Sequence, residues 1–164
     1  MNPYTDIDFA ASWRQLQEAR HRPDSSEFWD ERAHTFDHEK RSPYTGRFVE
    51  LLGLQADERV FDMGCGTGTI GIELARSGHP VLCADFSPQM IEVARAKVQQ
   101  VEQEVGHALP FETRVMAWDD DWAAAGVAPK SVDVAYASRS MAVANLSDAI
   151  DKLTATACRR CAAT

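Results

Sequence analysis

Val60-Phe61-Asp62-Met63-Gly64-Cys65-Gly66-Thr67-Gly68-Thr69-Ile70-Gly71 decides how this chain folds. A short apolar run ends in an acid, glycines follow at alternate positions, and a helical period takes over; this is the pattern of a strand turning sharply into a helix. Glycines in such a turn let the backbone bend and let a ligand lie against its amides with no Cβ in the way. The stretch therefore reads as a nucleotide seat at the head of a βαβ unit.

Downstream of the loop, short apolar runs alternate with longer helical periods. Strands are predicted over 59–63, 80–84, 112–117 and 131–137, and helices over 68–77, 88–105, 119–126 and 146–159. That alternation predicts an α/β fold: a Rossmann-like, mostly parallel sheet with flanking helices. Ser87 followed by Pro88 is a strong helix start, since serine caps and proline fits the first turn. Met90, Ile91, Ala94, Val98 and Val101 give that helix its buried stripe.

Upstream, three amphipathic helices are expected. The first runs from Asp6 to His21 through Ile7, Phe9, Ala10, Trp13 and Leu16, and ends near Pro23. Ser25 or Ser26 caps the second, which carries Phe28, Trp29, Ala33 and Phe36 on one face and runs to about Lys40. Pro43 begins the third, through Phe48, Val49, Leu51 and Leu52, closed by Gly53. The expected organisation is a helical lid over residues 1–54 and a ligand-binding core over 55–164, within one domain.

The 164 residues are 45% hydrophobic and 26% charged, with no apolar run long enough to span a bilayer. The polar N-terminus lacks a secretory pattern, so a cytoplasmic location is expected. A formal charge of −8 opposes nucleic-acid phosphates, and no basic stripe offsets it. Neither a nucleic acid nor a membrane is an expected partner. Cys65, Cys83, Cys158 and Cys161 are not expected to form disulfides. Cys158 and Cys161 have C-x-x-C spacing without a second ligand pair or a strand-to-helix setting, and read as packing. His34 and His38 share a helix face but lack the Glu of a zinc-protease motif, so no metal is expected.

The glycine pattern alone leaves the ligand open. Gly66-Thr67-Gly68-Thr69-Ile70-Gly71 also satisfies G-x-G-x-x-G, with Asp85 at the right distance to bind a ribose, which suits NAD. Asp62 argues the other way. A dinucleotide brings an anionic pyrophosphate to this helix start, and a carboxylate in the turn would repel it. S-adenosylmethionine carries an ammonium and a sulfonium instead, which a carboxylate suits. Asp85 ends the second strand, where its two oxygens can take both ribose hydroxyls, and Phe86 beside it can cover an adenine face.

At these residues the sequence resembles the class I S-adenosylmethionine-dependent methyltransferases. Residues 60–68 look like that family's first motif, and Ala84-Asp85-Phe86-Ser87-Pro88-Gln89-Met90-Ile91 looks like its second. The resemblance implies a cofactor site in which Asp62, Gly64, Cys65, Gly66 and Gly68 form the loop, with Gly64 and Gly66 lining the methionine portion. It further implies that Asp85 binds the ribose and that Phe86 and Met90 flank the adenine. Trp118-Asp119-Asp120-Asp121 falls where the family contacts the adenine amino group, by Asp119 or Asp120, although an acidic helix start reads equally well. Strand four then delivers Ser138, Arg139, Ser140 and Met141 to the mouth of the site.

Tyr44 and Arg139 are the residues expected near the substrate; Trp29, Arg32, Phe36, His38 and Tyr44 are the candidates for a lid, with a plain packing role the leading reading for Trp29 and Phe36. The family's sheet has seven strands ordered 3-2-1-4-5-7-6, and four are read here. Cys161-Ala162-Ala163-Thr164 is expected to open a fifth, so that the chain stops mid-fold and leaves an unpaired apolar edge beside strand four. Such an edge invites a homodimer. The expected reaction is methyl transfer to a small molecule, with S-adenosylmethionine as cofactor. An NAD-dependent oxidoreductase and a non-catalytic cofactor-binding module are the alternatives. No residue stands out as a catalytic acid or base.

Overall fold

The computed structural model describes residues 7–19, 25–36 and 43–164. Its centre is a five-stranded sheet in the order β3-β2-β1-β4-β5, every neighbouring pair parallel. The strands are β1 (Val60–Met63), β2 (Val81–Asp85), β3 (Phe111–Val115), β4 (Val132–Ala137) and β5 (Ala157–Ala163). Val60 faces Val81 on one side and Val134 on the other, so the chain reverses its direction of travel across the sheet at β1. A crevice opens outside the carboxyl ends of the strands at such a reversal.

Strands buried on both faces must be apolar almost throughout, and β1, β2 and β4 are. Alternate residues feed two cores. Val60, Val81, Cys83, Val134 and Tyr136 pack on one face with Phe48, Leu52, Ile72, Leu74 and Val98. Phe61, Met63, Ala84, Ala135 and Ala137 pack on the other with Met116, Trp122, Val127 and Leu153.

Helix α4 (Thr69–Arg76) follows the glycine loop and α5 (Pro88–Val105) follows β2. The Ser87 hydroxyl accepts from the Met90 amide at 3.1 Å and Gly106 ends α5 at φ 78, the start and stop that the residues call for. Helix α6 (Leu146–Thr156) is capped by Asn145. N-terminal to the sheet lie α1 (Phe9–Ala19), the short α2 (Ser26–Asp30), a 3-10 turn over Ala33–Thr35, and α3 (Pro43–Leu52). The expected ends of the first two helices, including His38 and Lys40, lie outside the described residues. No described helix is long and apolar enough to cross a membrane.

Three expectations are corrected. Residues 119–126 form turns rather than a helix. Asp120 Oδ2 accepts from the Ala117 amide at 2.8 Å, tying the acid back to the chain before it, and Asp121 Oδ1 caps a single turn by accepting from Ala124 at 3.0 Å. Gly126, at φ 84, closes the segment after one turn. Second, α6 stops at Thr156 and β5 begins at Ala157, four residues before the expected strand. Pairing of Ala157 with Val132 outweighs helical periodicity in Cys158-Arg159-Arg160-Cys161.

Third, β4 is not the edge: β5 pairs with it and is itself the outer strand, with no further strand beside it among the described residues. Arg160 Nη1 donates to the Leu52 carbonyl at 2.7 Å, and the Arg159 guanidinium pairs with Glu58, which tie β5 to the segment around α3. Helix α1 also departs from its expected apolar seating, since Phe9 is 64% exposed and Leu16 47%. Its anchor is Trp13, whose indole donates to the Val143 carbonyl at 2.6 Å.

Candidate functional site

The glycine loop wraps the carboxyl end of β1. Gly64 and Cys65 both donate their amides to the Ala84 carbonyl, at 2.8 and 3.0 Å, which lashes the loop to β2. Gly64 has φ +73, and a Cβ there would lie 2.3 Å from that of Ser140, so no other residue fits without moving the loop after β4. At Gly71 a Cβ would lie 2.3 Å from Cys83 Sγ, which places α4 directly on β2, the close helix-to-strand packing of a nucleotide fold.

Asp85 ends β2 at the loop's flank. Its Oδ2 accepts from the Gly66 amide at 2.8 Å and its Oδ1 from the Ser87 amide at 2.9 Å. Each carboxylate oxygen keeps a second lone pair. Burial raises the Asp85 carboxyl above its ordinary range, the Ser87 and Gly66 amides oppose that, and nearby Asp30 adds to it. Phe86 beside it is half-buried, and Met90 in the first turn of α5 is buried.

Asp62 occupies a different position. It is 2% exposed and points beneath the loop, where the Tyr136 hydroxyl donates to its Oδ2 at 2.8 Å. Burial pushes its carboxyl up to about 7, against the Tyr136 hydrogen bond and with help from Asp85. Sequence reasoning aimed Asp62 at a ligand cation; its own contacts are within the core, so it acts on the loop as a field and a support. Tyr136 was missed because nothing in Val132-Asp133-Val134-Ala135-Tyr136-Ala137 separates a phenol aimed at a buried acid from an ordinary core aromatic.

The Cys65 thiol, half-buried, donates to the Gly66 carbonyl at 3.4 Å. Gly68, at φ 74, starts α4. Trp118 is half-buried and donates its indole N–H to the Ser140 carbonyl at 3.2 Å, tying the segment after β3 to the loop after β4. Both acids beside it are exposed. Asp120 is engaged by its own turn, whereas the Asp119 carboxylate accepts no hydrogen bond among the described residues.

Residues of the N-terminal segment reach the loop in part. Phe36 Cε1 would lie 3.6 Å from a Cβ at Gly66, and its ring meets Trp29 edge-on at 5.9 Å. Arg32 caps the Phe28 ring instead, at 3.5 Å from its centroid. A residue not foreseen fastens this segment: Asp30 Oδ1 accepts from the Ser87 hydroxyl and, at 3.1 Å, from the Gln89 amide. Tyr44 and Ser138 share a hydrogen bond of 2.8 Å, and Arg139 lies over the Tyr44 ring at 4.7 Å. Thus Asp85, Phe86, Met90, Trp118 and the glycines gather at the carboxyl ends of β1, β2 and β3, while Tyr44, Ser138 and Arg139 form a second group at the end of β4.

The sheet reversal and the glycine seat define a Rossmann-like nucleotide-binding fold. A family model described as "Methyltransferase domain" matches residues 60–162. The chain belongs to that family, the class I S-adenosylmethionine-dependent methyltransferases. It is 34% identical over 161 residues to a Haemophilus influenzae protein described as uncharacterized, a match covering 94% of this chain and 56% of the relative. The chain thus spans just over half of that relative's length. A ubiquinone/menaquinone biosynthesis C-methyltransferase of Zymomonas mobilis is 39% identical over 75 residues, 42% of this chain and 31% of that enzyme. Among solved structures, a SAM-dependent methyltransferase from Aquifex aeolicus has the same fold, with a TM-score of 0.61 at 15% identity over 78% of this chain and 66% of that one.

Proposed function

We propose that the chain binds S-adenosylmethionine in the crevice above β1 and β2, and that the protein transfers its methyl group to a small molecule. The observation that carries this reading is the Asp85 carboxylate, fixed by the Gly66 and Ser87 amides with lone pairs left for two ribose hydroxyls. The residues present fit the cofactor. The glycine loop at Gly64 and Gly66 receives the methionine portion, Phe86 and Met90 flank the adenine, and Asp119 rather than Asp120 is the acid left to meet its amino group. Asp62 beneath the glycine loop opposes a pyrophosphate at the start of α4, which counts against NAD.

The cofactor supplies an already activated methyl group, so the protein's part is alignment and exclusion of water. Gly64 and Gly66 hold the loop, Asp62 with Tyr136 supports it from beneath and becomes a counter-charge when it ionises, and Phe36 on its segment covers it. A dedicated base is optional for such a displacement, and none is assigned. The charge of −8 and the lack of a basic stripe support a small acceptor over a nucleic acid. Residues 1–54 act as the lid and 55–164 as the core in this reading. Incubation with methyl-labelled S-adenosylmethionine and a panel of small nucleophiles tests it: label is expected in a small-molecule product. Label in ribosomal RNA alone would overturn the acceptor class, and binding without transfer to any nucleophile would leave a cofactor-binding module.

A further inference from the structure

The loop after β4 is held from every side. Tyr44 fixes the Ser138 hydroxyl at 2.8 Å, and the Thr164 carbonyl accepts from the Arg139 amide at 3.0 Å. The Ser140 hydroxyl donates to the Met63 carbonyl at 2.8 Å, while Trp118 and Trp13 donate to the carbonyls of Ser140 and Val143. Within this rigid segment Arg139 adopts φ +59, a left-handed conformation that side chains rarely take and that persists only where the surroundings impose it.

The Arg139 side chain is exposed, with its guanidinium carbon 4.7 Å from the Tyr44 ring centroid. Among the described residues its guanidinium donates no hydrogen bond and has no carboxylate partner. Arg47, Arg95, Arg159 and Lys152 each pair with an acid. A cation with no acid partner among the described residues, on a loop held outside the carboxyl ends of parallel strands and stacked on an aromatic ring, stands where a ligand would meet it.

Resting on the methyltransferase reading above, we propose that Arg139, steadied on the Tyr44 ring, receives a carboxylate of an anionic methyl acceptor. A guanidinium offers a planar fork of donors that matches a carboxylate with two parallel hydrogen bonds, and an aromatic face beneath it fixes the plane of that fork. A lysine would supply the charge without the fork. The site would set specificity by orienting the acceptor at the end of β4, beside the glycine loop.

The test follows the arginine Nε–Hε resonances of the full chain, with and without saturating S-adenosylhomocysteine, during titration with benzoate and with neutral benzamide. Benzoate is expected to shift the Arg139 resonance saturably, with at least about tenfold tighter binding than benzamide. Arg139→Gln should abolish that preference and Arg139→Lys retain part of it, while S-adenosylhomocysteine affinity stays unchanged in both. No benzoate shift at Arg139, equal shifts from both probes, or a preference intact in Arg139→Gln would overturn the proposal. Failure of S-adenosylhomocysteine to bind would count against the cofactor reading, and the benzoate arm run without it would then decide the carboxylate site alone.

Discussion

Asp62 and Asp85 flank the same glycine loop but meet different surroundings. Asp85 keeps lone pairs toward the crevice, so Asp85→Ala should weaken S-adenosylmethionine binding by at least about tenfold, and unchanged affinity would refute its assignment to the ribose. Asp62 is sealed in, and burial carries its carboxyl from an ordinary 3.8 to about 7. Between those values the folded state holds a proton that the unfolded chain has released. The stabilisation this gives is full below 3.8 and is lost as pH rises to about 7. A cation in the crevice favours the ionised form, so cofactor binding near pH 6 should release protons and tighten as pH rises. Calorimetry in buffers of different ionisation enthalpy reads that release directly; identical heats in all buffers would sink it. At Gly64, alanine meets both a left-handed backbone and the Ser140 side chain, and Gly64→Ala should cost on the order of 2 kcal/mol in denaturant unfolding.

Secondary elements hold these residues through contacts that cross the sequence. Strand β5 grips α3, which carries Tyr44: Arg160 reaches the Leu52 carbonyl at the helix's last turn, and Arg159 holds the Glu58 carboxyl below its ordinary range. Removing the charged hydrogen bond in Arg160→Ala should cost about 1.5 kcal/mol and speed hydrogen exchange along α3, whereas exchange changes confined to β5 would contradict the coupling. The same elements explain what the residues disclosed in advance. Strands β1, β2 and β4 and helix α5 were legible because continuous apolar runs, Ser87-Pro88 and a regular buried stripe leave one reading. The segment 119–126 was not, because its acids cap their own turn, and β5 was displaced because pairing with β4 is a non-local force. Asp85, Phe86 and the glycines could be placed from motif and spacing. Tyr136 and Asp30 could not, since each acts on a partner more than fifty residues away.

At the scale of the whole molecule, the order β3-β2-β1-β4-β5 brings the glycine loop, the Asp85 turn and the loop after β4 to one crevice. Helices from the N-terminal segment touch the elements around it at two points, through Asp30 on the start of α5 and Tyr44 on Ser138. In the proposed reading, Asp62 beneath the loop separates the two cofactors its glycines would otherwise admit. A calorimetric titration of the chain with S-adenosylmethionine and, separately, with NAD measures the difference most directly. Saturable, one-to-one binding of S-adenosylmethionine with no NAD binding is the predicted result; saturable NAD binding with none of S-adenosylmethionine would contradict the account.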